Sequence, residues 1–349
     1  MLFERPLIPY LRPVIGVGAL MREVCLALVP AVVVYVFFFG WGILANILLC
    51  LAACCGFEAL ALRWRGQPLL PSLTDYSVCL TALLLAFALP PYLPVYVTVV
   101  ACGFAVLVAK HAYGGLGFNT FNPAMVGYCV ALVSFPVEMS TWLPPAVGDI
   151  DYVRPDFVEK LRYILTGEWP APLTLDAVSQ ATPLDRVRTG MRSSEVFQEM
   201  RASPLFGDFG GAGWEWIGNF IAVGGAWLLY RGLIRWHIPV GVLAGMLVPA
   251  TLQSLATSGA YPGPGFHLFS GATLLGAFFI ATDPVSAATS PRGRLIYGIG
   301  IGFIAWSIRT WGGYPDGIAF AVLLMNAAVP LIDRLTVPRV MGHERHTAQ

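Results

Sequence analysis

The chain has 349 residues, 57% of them hydrophobic and 12% charged, with a formal net charge of +1. A balance that close to neutral gives no case for nucleic-acid binding, and so few charges could not cover one or two soluble domains of this length. Apolar runs recur near the length that crosses about 30 Å of hydrocarbon, which points to an all-α polytopic membrane protein.

In chain order, Glu4, Arg5, three prolines and Arg12 precede the first long apolar run, so no cleavable signal peptide is expected. About ten spans are predicted, near 19–39, 41–62, 75–90, 93–109, 123–138, 214–231, 238–254, 267–282, 293–309 and 317–333. The third and fifth are short and flanked by Gly and Pro, as broken or tilted helices are. The resulting division is a first five-helix half (1–138), a polar loop region (139–213), a second five-helix half (214–335) and a tail (336–349). Cys25, Cys50, Cys54, Cys55, Cys79, Cys102 and Cys129 fall in apolar runs without a Cys-x-x-Cys pair, so they read as small buried residues. Glu58, late in the second span, is a lesser candidate for an ion path, and its place near a span end lowers the cost of its charge.

After the fourth span, Gly114-Gly-Leu-Gly-Phe-Asn-Thr-Phe-Asn-Pro123 combines backbone freedom with amide side chains. Asn122-Pro123 has the form of a cap and first helical residue. Lys110, Asn119 and Asn122 could also belong to a loop folded back into the membrane around an ion, a quinone or a cofactor. Phosphate-loop spacing is missing there.

The polar loop region contains Asp176-Ala-Val-Ser-Gln-Ala-Thr-Pro-Leu-Asp185. Thr182 as N-cap, Pro183 at N1 and Asp185 at N3 spell a helix start. Such a terminus also suits a phosphate, because its N–H groups are unpaired and its dipole is positive. Asp176, Ser179, Ala181 and Thr182 resemble, position by position, the motif at which a transferase moves FMN from FAD onto a threonine hydroxyl. Gln180 stands where that motif has glycine. Ser270-Gly-Ala-Thr273 has the glycine but carries His267 in place of the aspartate and begins an apolar run, so Thr182 is the favoured site.

In the second half, Asp283 in Ala-Thr-Asp-Pro284 is a candidate for an ion relay. His111 and His237 in turns and His267 near a span start are too scattered for a metal site, and no catalytic triad, zinc-ligand set or acid–base pair is visible. With the N-terminus inside, Arg5, Arg12, Arg22, Arg63, Arg65, Lys110, Arg231, Arg235, Arg292, Arg294, Arg334, Arg339 and Arg345 all lie inside, and the short outer loops hold only Arg309. Both termini are therefore expected in the cytoplasm and Thr182 outside. Five spans on each side of the loop require any related halves to be inverted. Leu85-Ala-Phe87 pairs with Gly276-Ala-Phe278, and Lys110-x-x-Tyr-Gly-Gly115 pairs with Arg309-x-Trp-Gly-Gly313, which would put those basic residues on opposite faces.

Taken together with Tyr113–Tyr128, Gly276–Pro284 and Gly312–Ala321, the motif makes nearly the whole chain resemble one family. That family contains the D subunit of the Rnf ion-translocating electron-transport complex and the B subunit of the sodium-translocating NADH:quinone reductase. The resemblance implies a subunit of the bacterial inner membrane with covalent FMN on Thr182, and a second flavin, riboflavin, held noncovalently. It implies electron transfer among partner subunits, between NADH and ferredoxin, coupled to Na⁺ or H⁺ movement. The implied partners are the other complex subunits, a flavin transferase and membrane lipid. The residues alone leave open an inverted-repeat transporter or channel for a small solute, or a structural scaffold.

Overall fold

The computed structural model describes residues 16–145, 155–169, 179–257 and 259–336. Among these residues the regular structure is helical, with one isolated bridge between Phe206 and Gly211. The first half contains α1 (Val17–Phe39), α2 (Gly42–Trp64), α3 (Leu69–Leu73), α4 (Ser77–Ala88), α5 (Val95–Gly103, continuing as a π-helix over Phe104–His111), α6 (Pro123–Ser134) and α7 (Pro136–Met139). The polar region adds α8 (Phe157–Thr166), α9 (Pro183–Arg192) and α10 (Phe197–Met200). The second half contains α11 (Trp214–Tyr230), α12 (His237–Ala256), α13 (Pro264–Phe269), α14 (Thr273–Leu275, continuing as a π-helix over Gly276–Ile280), α15 (Pro291–Trp311) and α16 (Ile318–Thr336).

Five stretches are long and apolar enough to cross a membrane: Val17–Phe39, Gly42–Trp64, Leu69–Ala88, His237–Ala256 and Ile318–Thr336. Helices α4 and α6 have 12 residues each. At about 1.5 Å per residue they are roughly 18 Å long, well short of the hydrocarbon core. Short helices buried at membrane depth need their end groups satisfied from elsewhere. For α4, the amide of Asn46 on α2 supplies this, donating to Ala86 O at 3.2 Å, Pro90 O at 3.3 Å and Leu89 O at 3.5 Å.

The eighth predicted span is not one helix. It breaks at Ser270, which is extended, and Gly271, whose φ of +61° suits glycine. Arg309 compensates the broken ladder, donating to His267 O at 2.9 Å and Ser270 O at 3.1 Å. Asp316 pairs with Arg309 at 3.0 Å and accepts the Ala272 N–H at 2.7 Å. Arg309 is thus not in an outer loop, as expected from the sequence, but buried in the last turn of α15.

Small residues set the tightest helix contacts, as expected where lipid removes the hydrophobic drive between helices. Gly241 and Gly245 on α12 face Gly298 and Gly302 on α15, each pair four residues apart. A Cβ at Gly245 would lie 2.2 Å from Ile299 O, and one at Gly302 would lie 2.1 Å from Val242 O. Across the halves, Gly224 on α11 meets the Ala27 carbonyl of α1 in the same way. Gly245→Val is therefore expected to force α12 and α15 apart and destabilise by about 1–3 kcal/mol or more. Thermal melting of the purified variant in detergent checks this, and an unchanged midpoint would refute the close packing.

Candidate functional site

Two cavities open toward opposite ends of the helical body, and the predicted site residues divide between them. One cavity, termed outer after the sidedness expected from the sequence, encloses about 1140 Å³, including space open to solvent, and Thr182 lies on its wall. Thr182 caps α9 as its spelling predicts, its Oγ accepting the Asp185 N–H at 3.2 Å with Pro183 in the first turn. The approach to this cap is fixed by Gln180 N–H donating to Trp142 O at 2.9 Å. Arg188 bridges Asp185 and the carbonyl of Gly313, which ties α9 to the turn after α15. Beneath, Leu184 and Val187 bury against Phe197, Met200 and Phe266. Thr182 itself remains half-buried. Ser179 is also half-buried, and Asp176 lies outside the described residues.

Below Thr182 the cavity is aromatic. Tyr35, Phe87, Trp142 and Trp214 line it, with edge-on contacts between Tyr35 and Trp214 at 5.8 Å and between Trp142 and Trp214 at 5.2 Å. Apolar walls with a few polar groups are the usual build of a cofactor pocket. Its polar groups include the Thr182 hydroxyl at a helix N-terminus, the buried Tyr35 and Ser270 hydroxyls, which have no hydrogen-bond partner among the described residues, and Asp316, which is already engaged by Arg309, Ala272 and Ile318. This set suits a flat ring system tethered through a phosphate, with the chain at the mouth and the ring on the aromatic walls. By contrast, Thr273 is fully buried and its hydroxyl donates to His267 O at 2.6 Å.

The surface around α9 carries a salt bridge with a pH signature. Arg186 hydrogen-bonds Glu195 at 2.6 Å and holds its carboxyl below the usual carboxylate range. The folded value is the lower one, so the pair contributes above the unfolded carboxylate value of about 4.3 and fades as pH falls through the folded value. Glu195→Gln is expected to melt slightly below the unsubstituted protein at neutral pH and to converge with it as pH falls below the carboxylate range, the effect being small because the pair is exposed. A constant difference across that range would exclude the pair as its source.

The second cavity, termed inner on the same basis, spans about 860 Å³ including space open to solvent and is lined by Lys110, Asn119, Asn122 and Asp283 together with Ser77 and Thr282. The four residues singled out from two distant stretches of sequence thus share one wall. Asn122 is the N-cap of α6, accepting Met125 N–H at 3.2 Å while its amide donates to Ile280 O at 3.3 Å. Its own N–H donates to Asn326, whose amide reaches Ser286 O and Tyr297 OH. Asp283 accepts from Ser286 Oγ at 2.8 Å and is also reached by Asn119. Turn residues Leu233 and Ile234 line this cavity, and Leu184 of α9 lines the other. Helix α11 separates those two levels, so Lys110 and Arg309 lie toward opposite ends. The cavities also come back to back: Met125 and Ile280 line the outer one, while their chain neighbours Ala124 and Phe279 line the inner one.

Glu58 and His111 depart from what their spacing suggests. Glu58 is not at a wet span end; it is 2% exposed, with Lys110 Nζ 2.8 Å from Oε1 and His111 Nε2 2.9 Å from Oε2. Arg65 Nη1 lies 3.2 Å from His111 Nδ1. A guanidinium only donates, so Nδ1 accepts and the imidazole proton sits on Nε2, facing Glu58. Lys110 also donates to Ser77 Oγ at 3.0 Å. Glu58 and Lys110 are 52 residues apart, and no local spacing could have paired them. The cysteines are free, with Cys50, Cys54, Cys102 and Cys129 buried and the others half-buried, and the described residues hold no group suited to a metal ion.

With this geometry in view, comparison with known proteins is direct. Residues 7–342 match the family described as NQR2, RnfD, RnfE. Proteins named as the D subunit of an ion-translocating oxidoreductase complex are similar over almost the full length. That of Aeromonas hydrophila is 50% identical over 331 residues, 93% of this chain and 95% of its own. That of Aliivibrio salmonicida is 46% identical over 333 residues, 93% and 94% of the two chains. That of Salmonella arizonae is 46% identical over 353 residues, 99% and 100%. On sequence match, apolar helices and coverage together, the chain belongs to the NQR2, RnfD, RnfE family of multi-pass membrane proteins.

Proposed function

We propose that this chain is the membrane flavoprotein subunit of an ion-translocating electron-transport complex in the bacterial inner membrane, with FMN joined to Thr182 by a phosphoester. The observation that carries this reading is the position of Thr182, a half-buried N-cap hydroxyl on the rim of an aromatic cavity. The isoalloxazine ring would supply the redox chemistry when bound. The chain's part is to hold the attachment point at the cavity mouth, to exclude water with Tyr35, Phe87, Trp142 and Trp214, and to keep the ring at high local concentration through the tether. Thr182 is an attachment point and not a catalyst. The inner cavity, with Lys110, Asn119, Asn122 and Asp283 on its wall, suits a second, noncovalent flavin of the riboflavin type.

In this reading partner subunits handle NADH and ferredoxin, and the isolated chain does not turn over. Both termini face the cytoplasm and Thr182 faces the periplasm. The coupled ion is Na⁺ or H⁺. Mass spectrometry of the peptide spanning Asp176 to Arg186, from protein produced with its flavin transferase, is the test. An FMN-sized increment on Thr182 is expected. An unmodified peptide from an assembled, active complex would overturn the reading, and solute flux through the purified chain alone would favour a transporter instead.

A further inference from the structure

Helix α8 belongs to neither cavity. It opens with a capping box, in which Asp156 Oδ1 accepts the Glu159 N–H at 2.7 Å and Glu159 Oε2 accepts the Asp156 N–H at 2.8 Å. It closes at Gly167 with a φ of +76°. These are strong local signals, so the helix is specified by its own sequence.

At about 100° per residue its side chains fall into three arcs. Tyr163 and Ile164 form a buried arc in a cluster with Tyr92 and Leu143, and Lys160 lies between them with its ammonium 5.2 Å from the Tyr92 ring centre. Glu159, Arg162 and Thr166 form a polar arc. The third arc, Phe157, Val158, Leu161 and Leu165, is apolar and exposed, from 39% at Leu161 to 67% at Val158. A helix on the surface of a water-soluble domain has a core face and a polar face, and a third, apolar face has no place in water.

The surroundings give the level at which α8 sits. Its cluster takes in Trp41 just before α2, Ala45 and Leu49 of α2 and Val95 at the start of α5. Ala45 and Leu49 lie three and seven residues beyond Gly42, where α2 begins. At about 1.5 Å per residue the cluster reaches roughly 5–10 Å into that span. On the same two helices Leu44, Leu48, Tyr96 and Val99 are exposed, as lipid-facing side chains are. Phe157 packs on Trp41 with ring centres 4.6 Å apart, so the apolar arc begins beside an aromatic residue at a span end.

We infer that α8 is an interfacial helix whose Phe157, Val158, Leu161 and Leu165 arc inserts into the lipid headgroup–acyl boundary of the leaflet on the Thr182 side. The depth read from α2 agrees with the roughly 5–10 Å at which such helices lie. Continuity with the exposed faces of α2 and α5 selects lipid over a partner protein. Arg162, at the edge of the apolar arc, is placed to reach headgroup phosphates with its stem in contact with acyl chains. This assignment does not depend on any bound cofactor.

The test is photocrosslinking in native membranes, with a benzophenone amino acid placed singly at Val158, Leu165 or Thr166 of the full chain in its complex, and at Leu48 as the lipid-facing reference. Phospholipid adducts, read by mass spectrometry, are expected at Leu165 and Val158 at about the yield found at Leu48, and roughly tenfold above Thr166. Adducts to another protein at Leu165 would overturn the inference in favour of a subunit interface. Adducts to neither, with Leu48 still labelling lipid, would place the arc in water and overturn it as well. The substituted positions are exposed, so folding does not decide the outcome.

Discussion

A Thr182→Val chain produced with its flavin transferase is expected to carry no covalent FMN: the Asp176 to Arg186 peptide keeps its unmodified mass and the flavin fluorescence of the denatured band disappears. Thr182→Ser is expected to keep both signals, because it retains the hydroxyl and the cap. Valine also removes the oxygen that accepts the Asp185 N–H, at a cost of about 1 kcal/mol. Helix α9 stays in place, since Arg188 holds Gly313 and Gln180 holds Trp142 independently of that oxygen. Loss of flavin with near-normal assembly is therefore the expected pair of results. Retention of FMN by the valine variant would refute attachment at Thr182. Thr273 would be a poor substitute, being fully buried and bonded to His267 O.

Lys110→Met is expected to be the most destabilising change at the inner end, by about 3–5 kcal/mol, because it leaves the buried Glu58 without its cation. His111 Nε2 stays 2.9 Å from Glu58 Oε2 without a hydrogen bond to it, and Arg65 reaches His111 rather than Glu58. Adding Glu58→Leu to the Met variant removes the orphaned charge and is expected to restore much of the loss, since an apolar pair of similar volume often replaces a buried ion pair at little cost. Melting of the two single variants and the double variant in detergent measures the coupling. Additive losses would show that Glu58 and Lys110 act separately.

What could be read from sequence divides by range. The cap at Thr182 and the cap at Asn122 are written within four residues, and both stand as spelled. The five long apolar stretches were legible because the solvent they face dictates their composition. The break at Ser270 and Gly271 was not, because it depends on Arg309 and Asp316 arriving from α15 and the turn after it to bond the opened backbone. Glu58, Lys110 and His111 were each visible as charged or titratable, yet their association exists only once α2 and α5 pack. Lys110, Asn119 and Asn122 read as one loop and Asp283 as a separate candidate, and the fold brings all four to one cavity.

The partition between the two cavities bears on the paths of electron and ion. Met125 and Ile280 face one side, Ala124 and Phe279 face the other, and Asn122 bonds the Ile280 carbonyl within it. The partition there is formed by chain neighbours, mostly apolar and pinned by an amide. On the proposed function, an electron would pass between ring systems seated on either side of it. The centre of this protein would then serve as an electrical contact, and an ion coupled to the electron would need a route outside that partition.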